Sequence, residues 1–274
     1  MKTRLLWGIV ALFALFNLFK SPILATSFDA LIPLFSIAAP VLFVLLHGPR
    51  QIGWARLGLF FALTCVISWC YESLSIATGF PFGNDHYTDL LGPKLGTVPL
   101  LIMPAYFGVC YISWQIAELL MARPGTARPN WLVALVASFV MVMWDLSMDP
   151  ARATVAQAWI WHDGGAYFGV PFVNFAGWFL CVATIFLAYS YGAAANHRMQ
   201  PAPQTAHDAL PLGLYAALFT EFVANIFWPH PGSMADATGQ VWNLADIYQS
   251  LGLVSIFTMG FVIVLGVIRL TDRP

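Results

Sequence analysis

Charge is what this sequence has least of. Only 9% of its 274 residues are Asp, Glu, Lys or Arg, against roughly 25% in an average soluble domain. Twelve basic and thirteen acidic side chains cannot cover a folded chain of this length in water, which excludes an ordinary soluble enzyme. The net charge of -1 comes without any clustered basic surface, which excludes a nucleic-acid footprint. The four cysteines (Cys65, Cys70, Cys110, Cys181) include no C-x-x-C pair and lie in apolar runs, so they read as buried thiols. The six histidines (His47, His86, His162, His197, His207, His230) read as isolated and divided between the two membrane sides, unlike the dense histidine boxes of diiron enzymes. No G-x-G-x-x-G follows a strand, and no serine nucleophile elbow occurs.

What the chain has is apolar length. Hydrophobic residues make up 59% of it, with 22 Phe, 11 Trp and 9 Tyr. Eight stretches approach the roughly 20 apolar residues that a span requires: about 4 to 20, 28 to 46, 54 to 78, 98 to 121, 130 to 148, 171 to 192, 210 to 228 and 246 to 270. They predict an all-α polytopic membrane bundle of about eight transmembrane helices, one domain over residues 1 to 274. The first stretch reads as a retained helix rather than a signal peptide, because Lys20 closes its apolar run ahead of the small residues near Ala25. If the connections alternate sides, Lys2, Arg4, Arg50, Arg56, Arg123, Arg128, Arg198, Arg269 and Arg273 share one side, and Lys20, Lys94 and Arg152 the other. Nine against three predicts both termini in the cytoplasm of a multi-pass protein of the cell (inner, cytoplasmic) membrane.

The outer side then carries two long loops, 79 to 97 and 149 to 169, both rich in Gly, Pro and aromatics. Long loops inside a packed protein usually work, and these are too aromatic for disorder. They are expected to fold back over the bundle as a lid or re-entrant cap.

Ionisable residues within spans mark functional sites by default. Glu72, Asp145 and Glu221 all fall in the outer halves of outward-going helices. Asp149 is one turn beyond Asp145 on the same face, and Pro150 biases Asp149 away from helical geometry. With Asn174, Asn225, Asp246, Gln249 and Ser250 they predict a polar ring at one depth. Interhelical hydrogen bonding is the plainer account of Asn225, Gln249 and Ser250. Glu118 lies near the cytoplasmic end of its helix, within reach of the interface. A weak echo also runs through the chain: Glu72 precedes Gly96-Thr97-Val98-Pro99, and Asp145 precedes Gly169-Val170-Pro171, each unit reading helix, late acid, loop, Val-Pro, helix. Proline suits a first helical turn.

These residues leave carboxylate acid–base chemistry in a dry, aromatic cavity. A buried carboxyl can hold a proton at neutral pH and deliver it to a poor base. An alkene is such a base, and aromatic faces stabilise the cation it becomes. Trp69, Trp144, Trp159, Trp161, Trp178 and Tyr167 are the candidate faces, although core packing or interfacial anchoring is the simpler account of any single one of them.

The run WDLSMDPARATVAQAWIWHDGGAYFGVPFVNFAGW from Trp144 to Trp178, with TGFPFGNDHYTDLLGPKLGTVP from Thr78 to Pro99 and Glu72 ahead of it, resembles the integral-membrane carotenoid biosynthesis family. The signatures are W-D-x-x-x-D-P and G-V-P-x-x-N-F-x-G-W, and the resemblance covers about 50 to 195. Its characterised members are carotenoid 1,2-hydratases, which add water to acyclic ends of carotenoids such as lycopene, γ-carotene or bacterioruberin precursors. The resemblance implies a lipophilic polyene taken from the bilayer, water as co-substrate, and no cofactor or metal. Asp145, Glu72 and Asp149 are then the expected catalytic carboxyls. Trp144, Trp161, Tyr167, Asn174, Trp178, Phe82, Tyr87 and Glu221 are expected to bind the substrate or its water. One departure is visible: two positions after Gly83 the family usually has an aromatic, and here stands Asp85. Three other readings stay open: a cyclase or isomerase sharing the protonation, a prenyltransferase binding Mg²⁺-diphosphate through Asp145 and Asp149, and a proton-coupled transporter of a lipophilic solute.

Overall fold

Helices occupy the apolar runs, and glycine, proline and threonine decide where they stop or bend. The computed structural model describes residues 2–24, 31–121, 130–194 and 205–272. Its helices are α1 (Lys2–Leu24), α2 (Ile32–Gln51), α3 (Trp54–Thr78), α4 (Ile102–Leu120), α5 (Asn130–Pro150), α6 (Phe172–Ala194), α7 (Thr205–Asn225), α8 (Leu244–Phe257) and α9 (Met259–Thr271). Among the described residues, six segments are by length and composition able to cross a membrane: Thr3–Ser21, Ile32–Gln51, Trp54–Thr78, Trp131–Val155, Phe172–Gly192 and Leu244–Thr271. The helices also carry large apolar side chains on their outer faces, with Leu12 69% and Phe257 74% exposed. Water would not tolerate so much of this surface, and lipid does. The chain is an all-α multi-pass membrane protein.

At the centre stands α4. Every residue from 106 to 117 is buried, as expected of a helix that is apolar all round. It packs against α2, α3, α5, α7 and α9, while α1 lies along α7 and α6 fills the side between α3 and α5.

Three expectations about the helices need correction. Pro150 does not end the fifth helix: α5 continues through it into a π-turn, Ala151–Val155, closed by Ala156 N–H donating to Ala151 O at 3.1 Å. The pre-proline restriction is a bias that helix packing overrides. The missing proline N–H frees the carbonyl four residues back, and the Tyr167 hydroxyl donates to that carbonyl, Leu146 O, at 3.0 Å. The expected single eighth helix breaks between α8 and α9 at Thr258, whose hydroxyl donates to Val254 O at 2.7 Å beside the backbone bond to the same oxygen. Val98 and Pro99 do not open α4. They form a strand β3 (Val98–Pro99) pairing with β2 (Lys94–Leu95), and α4 starts three residues later.

The two long loops fold back and join each other. Strand β1 (Asp85–Tyr87) of the first pairs antiparallel with β4 (Trp159–Trp161) of the second, with Asp85 opposite Trp161 and Tyr87 opposite Trp159. Alternation along β1 turns Asp85 and Tyr87 inward and leaves His86 exposed. A third flap, the hairpin β5 (Ser233–Ala235) and β6 (Val241–Asn243), was not anticipated. It closes on the second loop through Trp242, whose ring lies 5.4 Å from that of Phe168. The histidines are not isolated either: His86 and His162 meet at 2.9 Å on the lid, and His47 stacks on His207 at 4.1 Å at the other end of the bundle. Sequence spacing cannot reveal such pairs, which are 76 and 160 residues apart. The Ala25 region and four of the counted arginines (Arg123, Arg128, Arg198 and Arg273) lie outside the described residues, as does His197.

Candidate active site

The acids gather under the lid, and their environments differ. Glu72, two turns from the end of α3, accepts Tyr87 Oη on Oε2 at 2.8 Å and Tyr106 Oη on Oε1 at 2.7 Å. Asp149 accepts Trp159 Nε1 on Oδ1 at 2.8 Å and Asn174 Nδ2 on Oδ2. Asp145, one turn before it on α5, is fully buried, and neither carboxyl oxygen has a hydrogen-bond partner among the described residues. Three carboxyls on two helices thus lie within electrostatic reach of one another. Two are supplied with donors and the third has none.

Aromatic rings wall the cluster. Trp178 on α6 stacks on Tyr106 at 4.4 Å with 2° between planes, and Trp144 meets its edge at 6.4 Å. Phe82 closes the group from the lid, 6.2 Å from Trp178, and Tyr87 packs on Trp159 at 5.9 Å. The lid comes this near because residue 177 is glycine: a Cβ there would stand 2.6 Å from Pro81 O. Tyr167 packs edge-on to Phe175 at 5.6 Å while holding Leu146 O, so it supports the turn that carries Asp145 and Asp149.

Of the residues expected at the site, Glu72, Asp145, Asp149, Asn174, Phe82, Tyr87, Trp144, Trp161, Tyr167 and Trp178 are brought to this region. Glu221 is not. It is clamped between Lys20 of α1 and Arg152 of the π-turn, each donating at 2.7 Å. The single polar ring is therefore two clusters, and Asp246 and Gln249 face outward in neither. Asn225 is buried, and its backbone carbonyl meets His230 Nε2 at 3.1 Å.

Two members escaped the sequence. Tyr106 looks like any aromatic in an apolar helix, and only its contact with Glu72 distinguishes it. Asp85 was visible only as a departure from a family pattern, yet it is buried on the lid facing the same acids. Burial first, and then the neighbouring Glu72 and Asp149, push its carboxyl up to about 8. A folded value above the ordinary 3.8 means that the folded protein binds this proton more tightly than the unfolded chain. The contribution is complete below about pH 4 and is lost as pH rises through about 8. Thermal unfolding in detergent should therefore find Asp85→Asn level with wild type near pH 4 and more stable above pH 8. A variant that is less stable at high pH would show a carboxylate held by favourable partners.

Among the described residues no group of three or more His, Cys, Asp and Glu side chains is arranged to hold a metal ion.

The model of the family described as "Carotenoid biosynthesis protein" matches residues 28–231 of this chain. The chain belongs to that family. The match extends beyond the 50 to 195 over which the motifs first pointed to it, and it includes every residue named above at the acid cluster. Among curated proteins, bisanhydrobacterioruberin hydratase of Haloarcula japonica is 28% identical over 152 residues, 54% of this chain and 50% of that protein. The chain thus matches about half the length of this relative. No solved structure matches it.

Proposed function

We propose that this membrane protein is a carotenoid 1,2-hydratase, adding water across the terminal double bond of an acyclic carotenoid end group. The observation that carries the proposal is the division among three carboxyls: Asp145 buried with no hydrogen-bond partner among the described residues, and near it Glu72 and Asp149, each holding two donors. An isolated buried carboxylate costs many kcal/mol, whereas the neutral acid costs far less. Asp145 is accordingly the proton carrier, and the hydrogen-bonded pair are the carboxylates. Environments that separate like groups in this way assign acid and base.

The terminal isopropylidene unit enters from the lipid between the helices and lies against Trp144 and Trp178. Asp145 gives its proton to C2, and the π pair that forms the C–H bond leaves a tertiary cation at C1. The aromatic faces stabilise this cation by about 2 kcal/mol or more each when water is excluded, and Glu72 supplies opposite charge. A water lone pair closes on C1. Asp149 takes the proton that the oxygen releases, since a carboxylate oxygen already holding one donor retains a second lone pair. That proton returns to Asp145 one turn away, and the balance is one water added. Asn174 orients the base. No redox group or metal takes part in these steps.

The whole chain acts as one transmembrane domain with eight spans. In this reading α4 and α7 are the two spans shielded from lipid by the other six, both termini are cytoplasmic, and the lid faces outward from the cell membrane. The similarity to a hydratase supports the reaction class. The test is expression in a lycopene-producing bacterium, with extracted pigments resolved by chromatography and mass spectrometry. Pigments heavier by one or two waters are expected. New pigments of unchanged mass would establish cyclisation or isomerisation instead, and transport without product would remove the enzyme reading altogether.

A further inference from the structure

Water has to reach a cluster from which the structure excludes it. Glu72, Asp145 and Asp149 are each no more than 3% exposed. Helices and lipid close the sides, so the route runs through the lid. Between the π-turn, the β4 end of the lid and the β5–β6 hairpin lies a pocket of about 20 Å³, room for about one water. Its mouth is made by exposed Gln157, Ala235 and Ala237, and its floor by buried Thr154 and Trp161. The Thr154 hydroxyl already donates to Phe168 O and the Asp236 carboxylate accepts from Thr238, Gln240 and Trp242, so their remaining lone pairs, with the Gln157 amide, are the polar groups along the lining that a water could use.

Trp161 borders this pocket and belongs to the lid strand that pairs with Asp85. One edge of its indole, Cε3 and Cζ3, faces Gly83, where an added Cβ would stand 3.4 Å from Cζ3. Its strand partner is Asp85, and two residues earlier Trp159 donates to Asp149. Its own Nε1 is buried and has no partner among the described residues. Leaving such a donor empty costs roughly 1 to 3 kcal/mol, and a passing water would satisfy it.

We infer that the pocket between the π-turn, the lid and the β5–β6 hairpin is the port through which the co-substrate water enters, with Trp161 Nε1 handing it toward Asp149. The inference rests on the hydratase reading and specifies how that site receives its second substrate. Trp161 is then a residue for water delivery, where the sequence had pointed to carotenoid contact. When the port is closed, protonation at C2 still occurs. The cation then returns a proton to the Asp145 or Asp149 carboxylate, either from C2 to restore the alkene or from a C1 methyl to move the double bond, and no water is added.

The experiment uses purified full-length protein in detergent, equilibrated in D2O and held in excess over an acyclic carotene. Mass spectrometry reads the hydrated product and, in the unhydrated carotene, deuterium uptake or double-bond migration. Ala235→Trp and Ala237→Trp put a ring across the mouth from exposed positions, and Trp161→Phe removes the donor while keeping the ring. In each, the ratio of exchanged or migrated carotene to hydrated carotene should rise about tenfold or more. A parallel fall of both products, or an unchanged ratio in all three variants, overturns the port. A wild-type protein that neither exchanges nor hydrates overturns the hydratase reading, and the port with it.

Discussion

Asp145→Asn is expected to lower hydration by about a thousandfold, within the hundredfold to ten-thousandfold range of general acid catalysis, while the protein stays folded. Both halves follow from one observation. Asp145 is fully buried, and neither of its oxygens has a partner among the described residues. A neutral acid in that position resembles an amide in shape and charge, so replacing one by the other removes a transferable proton and little else. Melting temperature in detergent should change by no more than a few degrees, and the chromatographic profile should be unaltered.

The neighbours should behave differently. Asp149→Asn leaves two donors, Trp159 Nε1 and Asn174 Nδ2, facing a group that is itself half donor. It should lose stability as well as rate, at roughly 1 to 3 kcal/mol for each unsatisfied buried group. Glu72→Gln has an easier accommodation, because the Tyr87 and Tyr106 hydroxyls can rotate to accept. Full activity in Asp145→Asn would remove Asp145 from the acid role and leave Glu72 as the remaining candidate.

How far the sequence could be read depended on range. The third stretch, read as about 54 to 78, is the helix Trp54–Thr78, which a glycine precedes and Gly79 ends in the left-handed conformation that glycine adopts most easily. The acids of α5 and their shared face followed from helical periodicity alone. Folding-back of the two long loops followed from their length and aromatic content, but the β1–β4 register that joins them depends on segments more than 70 residues apart. Pro150 misled because its local bias is real and the helix continues by widening into a π-turn, with Tyr167 taking the orphaned carbonyl. Asp85 was missed as a member of the site because a strand places residues by alternation, and nothing local announced three residues of strand.

Glu221 was read without its partners for a related reason, and the ion pairs it forms carry the second large effect. A lone acid in the outer half of a span reads as a site residue, whereas Lys20 and Glu221 are 201 positions apart and their pairing is invisible until α1 lies along α7. Lys20 is nearly inaccessible, with 3% of its side chain exposed, and the Arg152 side chain is 22% exposed. Glu221→Leu therefore strands two cations, one of them with no route to water. Breaking a buried pair from one side costs about 3 to 5 kcal/mol, or about 10 °C in melting temperature for a chain of this size. Replacing Lys20 and Glu221 together, by Met and Leu, should recover most of that loss, since an apolar pair of similar volume substitutes well for a buried ion pair. Arg152 can then turn to solvent. Arg152 lies three residues after Asp149 in the π-turn, so Glu221→Leu should also slow turnover by loosening the base, and the double variant should recover stability more fully than rate. A Glu221→Leu protein of wild-type stability with weakened carotene binding alone would return Glu221 to substrate contact.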